Sequence, residues 1–191
     1  QLRLGRVDGL DRNAKRISLA PTLDADGTEI VPPRTFEYDT LVLALGSVSN
    51  DFGIPGGTEH AHRLDTREEA LAFNRVLLNA CLHLQTQTTP ADPGQLNVVI
   101  VGGGATGVEL AAELHTTTRL IAQYGLDRID PDKNIRIVIL QASNRILKDL
   151  PERVSDEVAR ELSALGIAIH TNERVSRVSQ NGVETSSGRF F

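Results

Sequence analysis

The sequence predicts an α/β fold: a Rossmann-like parallel sheet with helices on both faces and a closing β-hairpin, preceded by a mostly β segment. Three observations predict it. Val98–Val101 is a short unbroken apolar run and Ile135–Leu140 an apolar run interrupted only by Arg136, the pattern of strands buried on both faces. Stretches with apolar residues three and four apart lie before, between and after them. Gly102-Gly103-Gly104-Ala105-Thr106-Gly107 joins the first run to the helical stretch behind it.

The first stretch reads as β. Leu2 and Leu4 alternate with Gln1 and Arg3, and Arg16–Ala20 and Thr28–Val31 flank the turn-forming Asp24-Ala25-Asp26-Gly27. Pro32-Pro33 ends that pairing. Tyr38-Asp39-Thr40 leads into Leu41–Leu45, an apolar run closed by Gly46 and expected to be a strand buried on both faces. Ser47–His62, punctuated by Gly53, Pro55, Gly56 and Gly57, reads as a connector. Thr66-Arg67-Glu68-Glu69 is a capping box, threonine at the N-cap and glutamate three residues later. The helix behind it carries Ala70, Phe73, Leu77, Ala80 and Leu84 on one face. His83 flanks that face and is expected to be a surface or packed residue, not a ligand. Thr86–Gln95, with two prolines and a glycine, is a loop or linker.

After Val98–Val101 and the glycine turn, a helix is expected to run to about Tyr124. A polar loop, Gly125–Asn134, precedes the second strand, Ile135–Leu140. Pro151 opens a helix with Val154, Val158, Leu162 and Leu165 on its apolar face and Gly166 at its stop. Ile167–His170 is a third strand. Val175–Ser179 and Val183–Thr185 form a hairpin around Asn181-Gly182. Strand, helix, strand, helix, strand implies right-handed crossovers in a parallel sheet.

Composition removes several classes. Hydrophobic residues at 40% suit a globular protein and not a disordered one. Twenty Lys+Arg against 25 Asp+Glu give a net charge of −5, so no basic face for nucleic acid is expected. The single cysteine, Cys81, excludes an internal disulfide, a Cys-X-X-Cys pair and a multi-cysteine zinc site. Between Ala80 and Leu82 it is expected to be a buried thiol and not a nucleophile. No apolar run approaches the roughly 20 residues of a membrane-spanning helix, and no signal peptide is recognisable. The chain starts at Gln1, contains no methionine and stops at Gly188-Arg189-Phe190-Phe191, where a strand begins. A piece of a longer protein is expected.

The glycine motif carries the chemistry. Gly102 permits the tight turn, Gly104 lets backbone approach a pyrophosphate, and Gly107 lets the helix pack closely on the strand. The helix N-terminus offers N–H groups and partial positive charge to phosphates. An empty glycine-rich turn is the alternative. The adenosine ribose is ordinarily met by an acidic residue at the end of the second strand. That place falls here at Gln141, farther along than the roughly 20 residues of the short motif. A neutral amide bonds a ribose hydroxyl but does not repel a 2′-phosphate. NADH binding with weakened discrimination against NADPH is therefore expected. Arg145 is near enough in sequence to meet a 2′-phosphate; it could equally contact only the pyrophosphate or solvent. Glu109, placed on the first turn of the helix, either complements the helix dipole or faces the place of a nicotinamide ring. Both readings stay open.

Val99–Leu114, reading VIVGGGATGVELAAEL, resembles the nicotinamide-binding motif of type II NADH dehydrogenases, the single-subunit, non-proton-pumping NADH:quinone oxidoreductases among the flavoproteins with two dinucleotide-binding domains. Tyr38–Ser47 is similar to that family's second flavin-contacting segment, Asn50–Gly56 to its hinge, and Arg145-Ile146-Leu147 to its turn after the second strand. The resemblance implies hydride transfer from NADH to FAD and passage of electrons to a quinone. It assigns Gly102, Gly103, Gly104, Ala105, Thr106, Gly107 and Glu109 to the nicotinamide nucleotide, with Gln141 and Arg145 on its adenosine side. Ala44, Leu45 and Gly46 would approach flavin through backbone atoms. It demands no general acid, base, nucleophile or metal of this chain. It divides the chain into a slice of flavin domain (1–50), a hinge and connecting helix (51–94) and an NAD(P)H-binding domain truncated at its C-terminus (95–191). Two departures stand out: the family usually has Glu where Gln141 stands, and its N-terminal flavin-binding glycine motif is missing here.

The portion expected to supply quinone and membrane contacts is missing too. The full-length parent is expected in the bacterial cytoplasm, peripheral on the inner membrane. The isolated chain is expected to bind NADH weakly, hold no flavin and lack quinone reductase activity. The alternatives are a non-catalytic NAD(P)-binding module, a sulfide:quinone or ferredoxin-type reductase, and a structural domain. A thioredoxin reductase type is disfavoured because Cys81 has no partner cysteine.

Overall fold

The computed structural model describes residues 2–46, 48–87, 94–126 and 128–191. Two compact units share the chain, residues 1–47 and 48–191. Part of the expected linker, 88–93, and Ser47 lie outside the described residues.

In the first unit the strands are β1 (Val7–Asp11), β2 (Arg16–Leu19), β3 (Thr22–Leu23), β4 (Glu29–Val31) and β5 (Arg34–Glu37). β2 lies between β1 and β5 in an antiparallel sheet, with Leu10 opposite Ile17 and Ile17 opposite Phe36. Asp11 Oδ1 closes the first turn by accepting the N–H groups of Asn13 and Ala14, both at 2.9 Å. Asp24 Oδ1 closes the next by accepting from Asp26 and Thr28.

Three expectations are corrected here. The first strand starts at Val7, and Leu2 and Leu4 are exposed. The 24–27 turn joins β3 to β4, while β2 pairs with β1 and β5. Leu41–Leu45 is irregular chain, not a buried strand, with Val42, Leu43 and Leu45 exposed. A strand buried on both faces needs neighbours at its edges and layers above and below, and no described strand pairs with it.

The second unit contains α1 (Gly57–His60), α2 (Arg67–Thr86), β6 (Leu96–Val101), α3 (Ala105–Gln123), α4 (Pro131–Asn134), β7 (Ile135–Leu140), α5 (Glu152–Ala164), β8 (Ala168–His170), β9 (Val175–Ser179) and β10 (Gly182–Thr185). β6, β7 and β8 form a parallel sheet in that order, with Val101 beside Leu140 and Leu140 beside His170. The two faces of β7 build two cores, because side chains alternate across a strand. Ile137 and Ile139 join Ile100 in a cluster with Leu77 and Leu84 of α2, Ala111 and Leu114 of α3, and Leu162 of α5. Val138 and Leu140 join Val175, Val178 and Val183 of the β9–β10 hairpin. Val138 and Ile139 are both 0% exposed, so β7 is the centre of both layers.

The α/β class and the hairpin agree with the sequence. Helices on both faces do not: α2, α3 and α5 all join one cluster, and the hairpin covers the other face. The strand order explains it. Two crossovers of the same hand, stepping in the same direction, place both helices on one side. The nominally polar 125–134 loop also differs from expectation, since it holds α4 and buries Leu126 and Ile129.

Cys81 is 1% exposed on α2, and burial pushes its thiol pKa up, which fits an inert packed sulfur. His83 is exposed. Among the described residues no helix is long and apolar enough to cross a membrane.

The capping box is formed in full: Thr66 Oγ1 accepts from Glu69 N–H at 3.2 Å and Glu69 Oε2 accepts from Thr66 N–H at 3.0 Å. Thr66→Ala is expected to lower unfolding free energy by about 1 kcal/mol, read as a shifted urea midpoint with an unchanged slope.

Candidate functional site

The site begins where β6 ends. Gly102 N–H donates to Leu140 O at 2.8 Å, tying the turn to the neighbouring strand. Gly102 has φ +115°, a conformation that L side chains rarely adopt. A β-carbon on Gly107 would lie 2.0 Å from the Gly102 carbonyl oxygen, so this position admits no side chain. Gly104 differs in kind. Its φ is −76° and a β-carbon there meets no atom within 4 Å, so it faces open space. Gly103, to which the motif gave no separate steric task, is buried; a β-carbon on it would come within 2.7 Å of Ile146 Cγ2.

α3 starts behind this turn with no side-chain cap and no acidic residue in its first turn. That contrasts with α2, whose Thr66 and Glu69 close its end. The N-terminal N–H groups of a helix need acceptors, and the partial positive charge there favours an anion. Ala105 and Thr106 are exposed at this end. Glu109 is the fifth helical residue, exposed and beyond the first turn, which corrects its expected first-turn place.

The wall beside the turn is the chain after β7. Gln141 Oε1 accepts from Gly103 N–H at 2.8 Å, and Gln141 Nε2 donates to Ser143 Oγ. Ser143 Oγ in turn donates to Arg145 O at 2.8 Å. Gly103 O accepts from Leu147 N–H at 2.7 Å, so Gly103 is held from both sides. Arg145 lies in this wall, but its guanidinium is engaged with its own loop, donating to Leu150 O at 2.8 Å and Lys148 O at 2.6 Å.

The strand end behind Gln141 is fixed as well. Gln141 N–H donates to His170 O and Glu173 N–H donates to Gln141 O, at 2.9 and 3.0 Å. The Glu173 carboxylate accepts from Ser187 Oγ at 2.8 Å and Arg189 Nη1 at 2.9 Å. Hydrogen bonds from Thr185 and Ser187, with Arg189 beside them, hold its pKa below the usual 4.5.

The structure thus brings Gly102, Gly103, Gly104, Ala105, Thr106, Gly107, Gln141 and the Arg145 loop together. Ala44, Leu45 and Gly46 belong to the first unit, in exposed irregular chain with Gly46 at φ +72°. Sequence reasoning missed Ser143 and Glu173. Ser143 stands two residues past Gln141, which was a usable signal. The partners of Glu173 are 12 or more positions away and left none.

A parallel sheet, a glycine turn and an open helix N-terminus define a Rossmann-type nucleotide-binding protein. The chain belongs to the pyridine nucleotide-disulphide oxidoreductase family, whose model matches residues 1–189. It is 33% identical over 96% of its length to a type II NADH:quinone oxidoreductase of Haemophilus influenzae, of which it covers 44%. It is 34% identical over 77% of its length to an external alternative NAD(P)H-ubiquinone oxidoreductase B1 of Solanum tuberosum, of which it covers 26%. The chain therefore spans less than half the length of these relatives. Among solved structures, NDH2 of Plasmodium falciparum in complex with NADH matches 92% of this chain and 34% of its own at TM-score 0.61 and 23% identity. A ferredoxin reductase from Rhodopseudomonas palustris matches 97% of this chain and 37% of its own at TM-score 0.57 and 19% identity. These two likenesses concern the fold.

Two predictions follow from packing and charge. Gly107→Ala drives a methyl group into the Gly102 carbonyl, and an unfolding free energy lower by about 2 kcal/mol or more is expected in denaturant titration. Glu173 contributes stability above the unfolded carboxyl pKa, and loses it as pH falls through its lowered folded value. Glu173→Gln should therefore be less stable than the parent at pH 7, with a smaller loss on acidification to pH 3, measured by urea midpoints.

Proposed function

We propose that the intact protein is a flavoprotein that oxidises NADH and reduces a quinone, and that this chain carries its NADH-binding part. One observation supports the reading above the others. The position where a side chain would obstruct a diphosphate, Gly104, is open, and it lies at the uncapped start of α3. The 33% identity over 96% of the chain to an NADH:quinone oxidoreductase supports the same substrate pair.

The residues fit a nicotinamide dinucleotide. The first N–H groups of α3, from Gly104 through Gly107, would donate to the diphosphate. Gly102 and Gly103 shape the turn that aims them. Gln141 would meet the adenosine ribose, and Glu109 lies one turn farther along the helix. Arg145, whose guanidinium donates to carbonyls of its own loop, would shape the wall on the adenosine side. Ala44, Leu45 and Gly46 would approach FAD through backbone atoms. When bound, the nicotinamide supplies the hydride and the flavin accepts it. The part left to this chain is binding, orientation and a fixed electrostatic environment; no side chain need move a proton.

Cofactor choice follows from Gln141. A neutral amide presents no negative charge to a 2′-phosphate, so NADH is taken and NADPH tolerated. The potato relative's name carries both nucleotides, which favours this reading. In this reading the intact protein is peripheral on the cytoplasmic face of a bacterial membrane, and other parts of it would supply the quinone and membrane contacts. The net charge of −5 favours no nucleic-acid partner. A ferredoxin-reducing sibling shares the fold; assay of the intact protein with quinone and with ferredoxin as acceptors separates the two.

Gly104→Val tests the site. The backbone there accepts a side chain without strain, so the melting temperature should hold. The NADH dissociation constant should rise by about tenfold or more if the residue faces the diphosphate. An unchanged constant would remove the proposal's support.

A further inference from the structure

Gln141 is doubly engaged before any ligand arrives. Its Oε1 faces the Gly103 N–H at 2.8 Å, and only the oxygen of an amide can accept there. Its Nε2 then faces Ser143 Oγ. The Ser143 hydroxyl has one proton, and that proton goes to Arg145 O at 2.8 Å. Its lone pairs are therefore what Gln141 meets. Ser143 is itself anchored, because its carbonyl accepts from Asn172 N–H at 2.9 Å. The relay runs Arg145 O, Ser143 Oγ, Gln141 amide, Gly103 N–H, and each group is used in the one sense its chemistry allows.

This leaves a defined remainder. An amide NH₂ has two donors and its oxygen accepts. With the oxygen turned to Gly103 and one N–H on Ser143, the nitrogen side keeps a second N–H to donate, while the remaining oxygen lone pair stays on the Gly103 side. A ribose 2′-substituent that approaches the nitrogen side of Gln141 would meet a donor. A hydroxyl oxygen and a phosphate oxygen both accept from it. An acidic side chain would offer acceptors alone and could not donate to Ser143.

We infer that Ser143 is a positioning residue for cofactor choice: it holds the Gln141 amide so that an N–H, and not the carbonyl oxygen, is presented to the adenosine ribose. The inference rests on the nucleotide site proposed above and deepens it. Without the Ser143 hydroxyl, the Gln141 side chain loses one of its two anchors and can swing its oxygen toward the ribose. An oxygen accepts from a 2′-hydroxyl and repels a 2′-phosphate, so selectivity should move toward NADH.

The test is to measure dissociation constants for NADH and NADPH on the intact protein and on Ser143→Ala, Ser143→Thr and Gln141→Glu. Ser143→Ala should raise the ratio of the NADPH constant to the NADH constant about fivefold, the worth of one exchanged hydrogen bond. Ser143→Thr, which keeps the hydroxyl, should retain the parent ratio. Gln141→Glu should raise it further by adding charge repulsion. If Ser143→Ala weakens both nucleotides equally, or leaves the ratio within twofold of the parent while lowering the melting temperature, Ser143 is structural only and the inference is wrong. If the parent binds neither nucleotide, the site itself is refuted, a different outcome from a flat ratio on a protein that binds both.

Discussion

The approach on which the glycine turn depends, and which permits no substitution, is between Gly107 and the carbonyl of Gly102. A β-carbon at 107 would sit 2.0 Å from that oxygen. The contact lets α3 begin immediately behind β6 and lie down on the sheet, where Ala111 and Leu114 enter the core with Ile100. Were the helix lifted by a side chain at 107, its first turn would move away from the strand ends. The open amides would then no longer lie beside the wall that Gln141 forms. Stability and binding geometry thus depend on the same missing atoms. The motif's last glycine serves the fold, while Gly104 faces open space and is not required by the packing.

β7 converts that packing into a site wall. Its alternating side chains enter two cores, Ile137 and Ile139 toward the helices, Val138 and Leu140 toward the hairpin. A one-residue slip would exchange the two sets. The register with β6 is unbroken from Leu96 opposite Ile135 to Val101 opposite Leu140. Gln141 therefore arrives beside the glycine turn because the six preceding residues are paired with β6 and the last four of them, Ile137–Leu140, are buried in the two cores. Behind it, Glu173, Ser187 and Arg189 tie the β8 end to the residues after β10, and the backbone of Gln141 is bonded to both His170 and Glu173.

Much of this was legible in the sequence, for reasons that also explain the failures. Ile135–Leu140 was readable because its neighbours in space lie within the same unit. Leu41–Leu45 has the same apolar signature, yet it is exposed and irregular, because composition encodes a tendency to be buried and not the layers that bury it. Arg34–Glu37 was passed over because its one aromatic, Phe36, pairs opposite Ile17 in a half-buried sheet where period two is faint. The capping box was readable since it is local. Helices on both faces were inferred from alternation of strand and helix, but alternation does not reveal strand order, and order decides the side. The glycine motif told where an anion would go. It could not tell that Gln141 turns its oxygen inward, which depends on a serine two residues on and an amide 38 positions back.

A loop that grips through backbone amides and a helix end does not distinguish one dinucleotide from another, because every such ligand carries the same diphosphate. Discrimination must come from a side chain at the rim, and a rim side chain discriminates only if its orientation is fixed before the ligand arrives. An unanchored amide would present oxygen or nitrogen as the ligand required, and would select nothing. An amide whose oxygen is turned to Gly103 and whose nitrogen is turned to Ser143 has its orientation fixed, so its two ends cannot exchange. In the proposed nucleotide site the wall is therefore rigid where the ligands differ and the cradle is featureless where they agree. A neutral, donor-presenting residue at the strand end is then a distinct recognition state, not a weakened version of the acidic one.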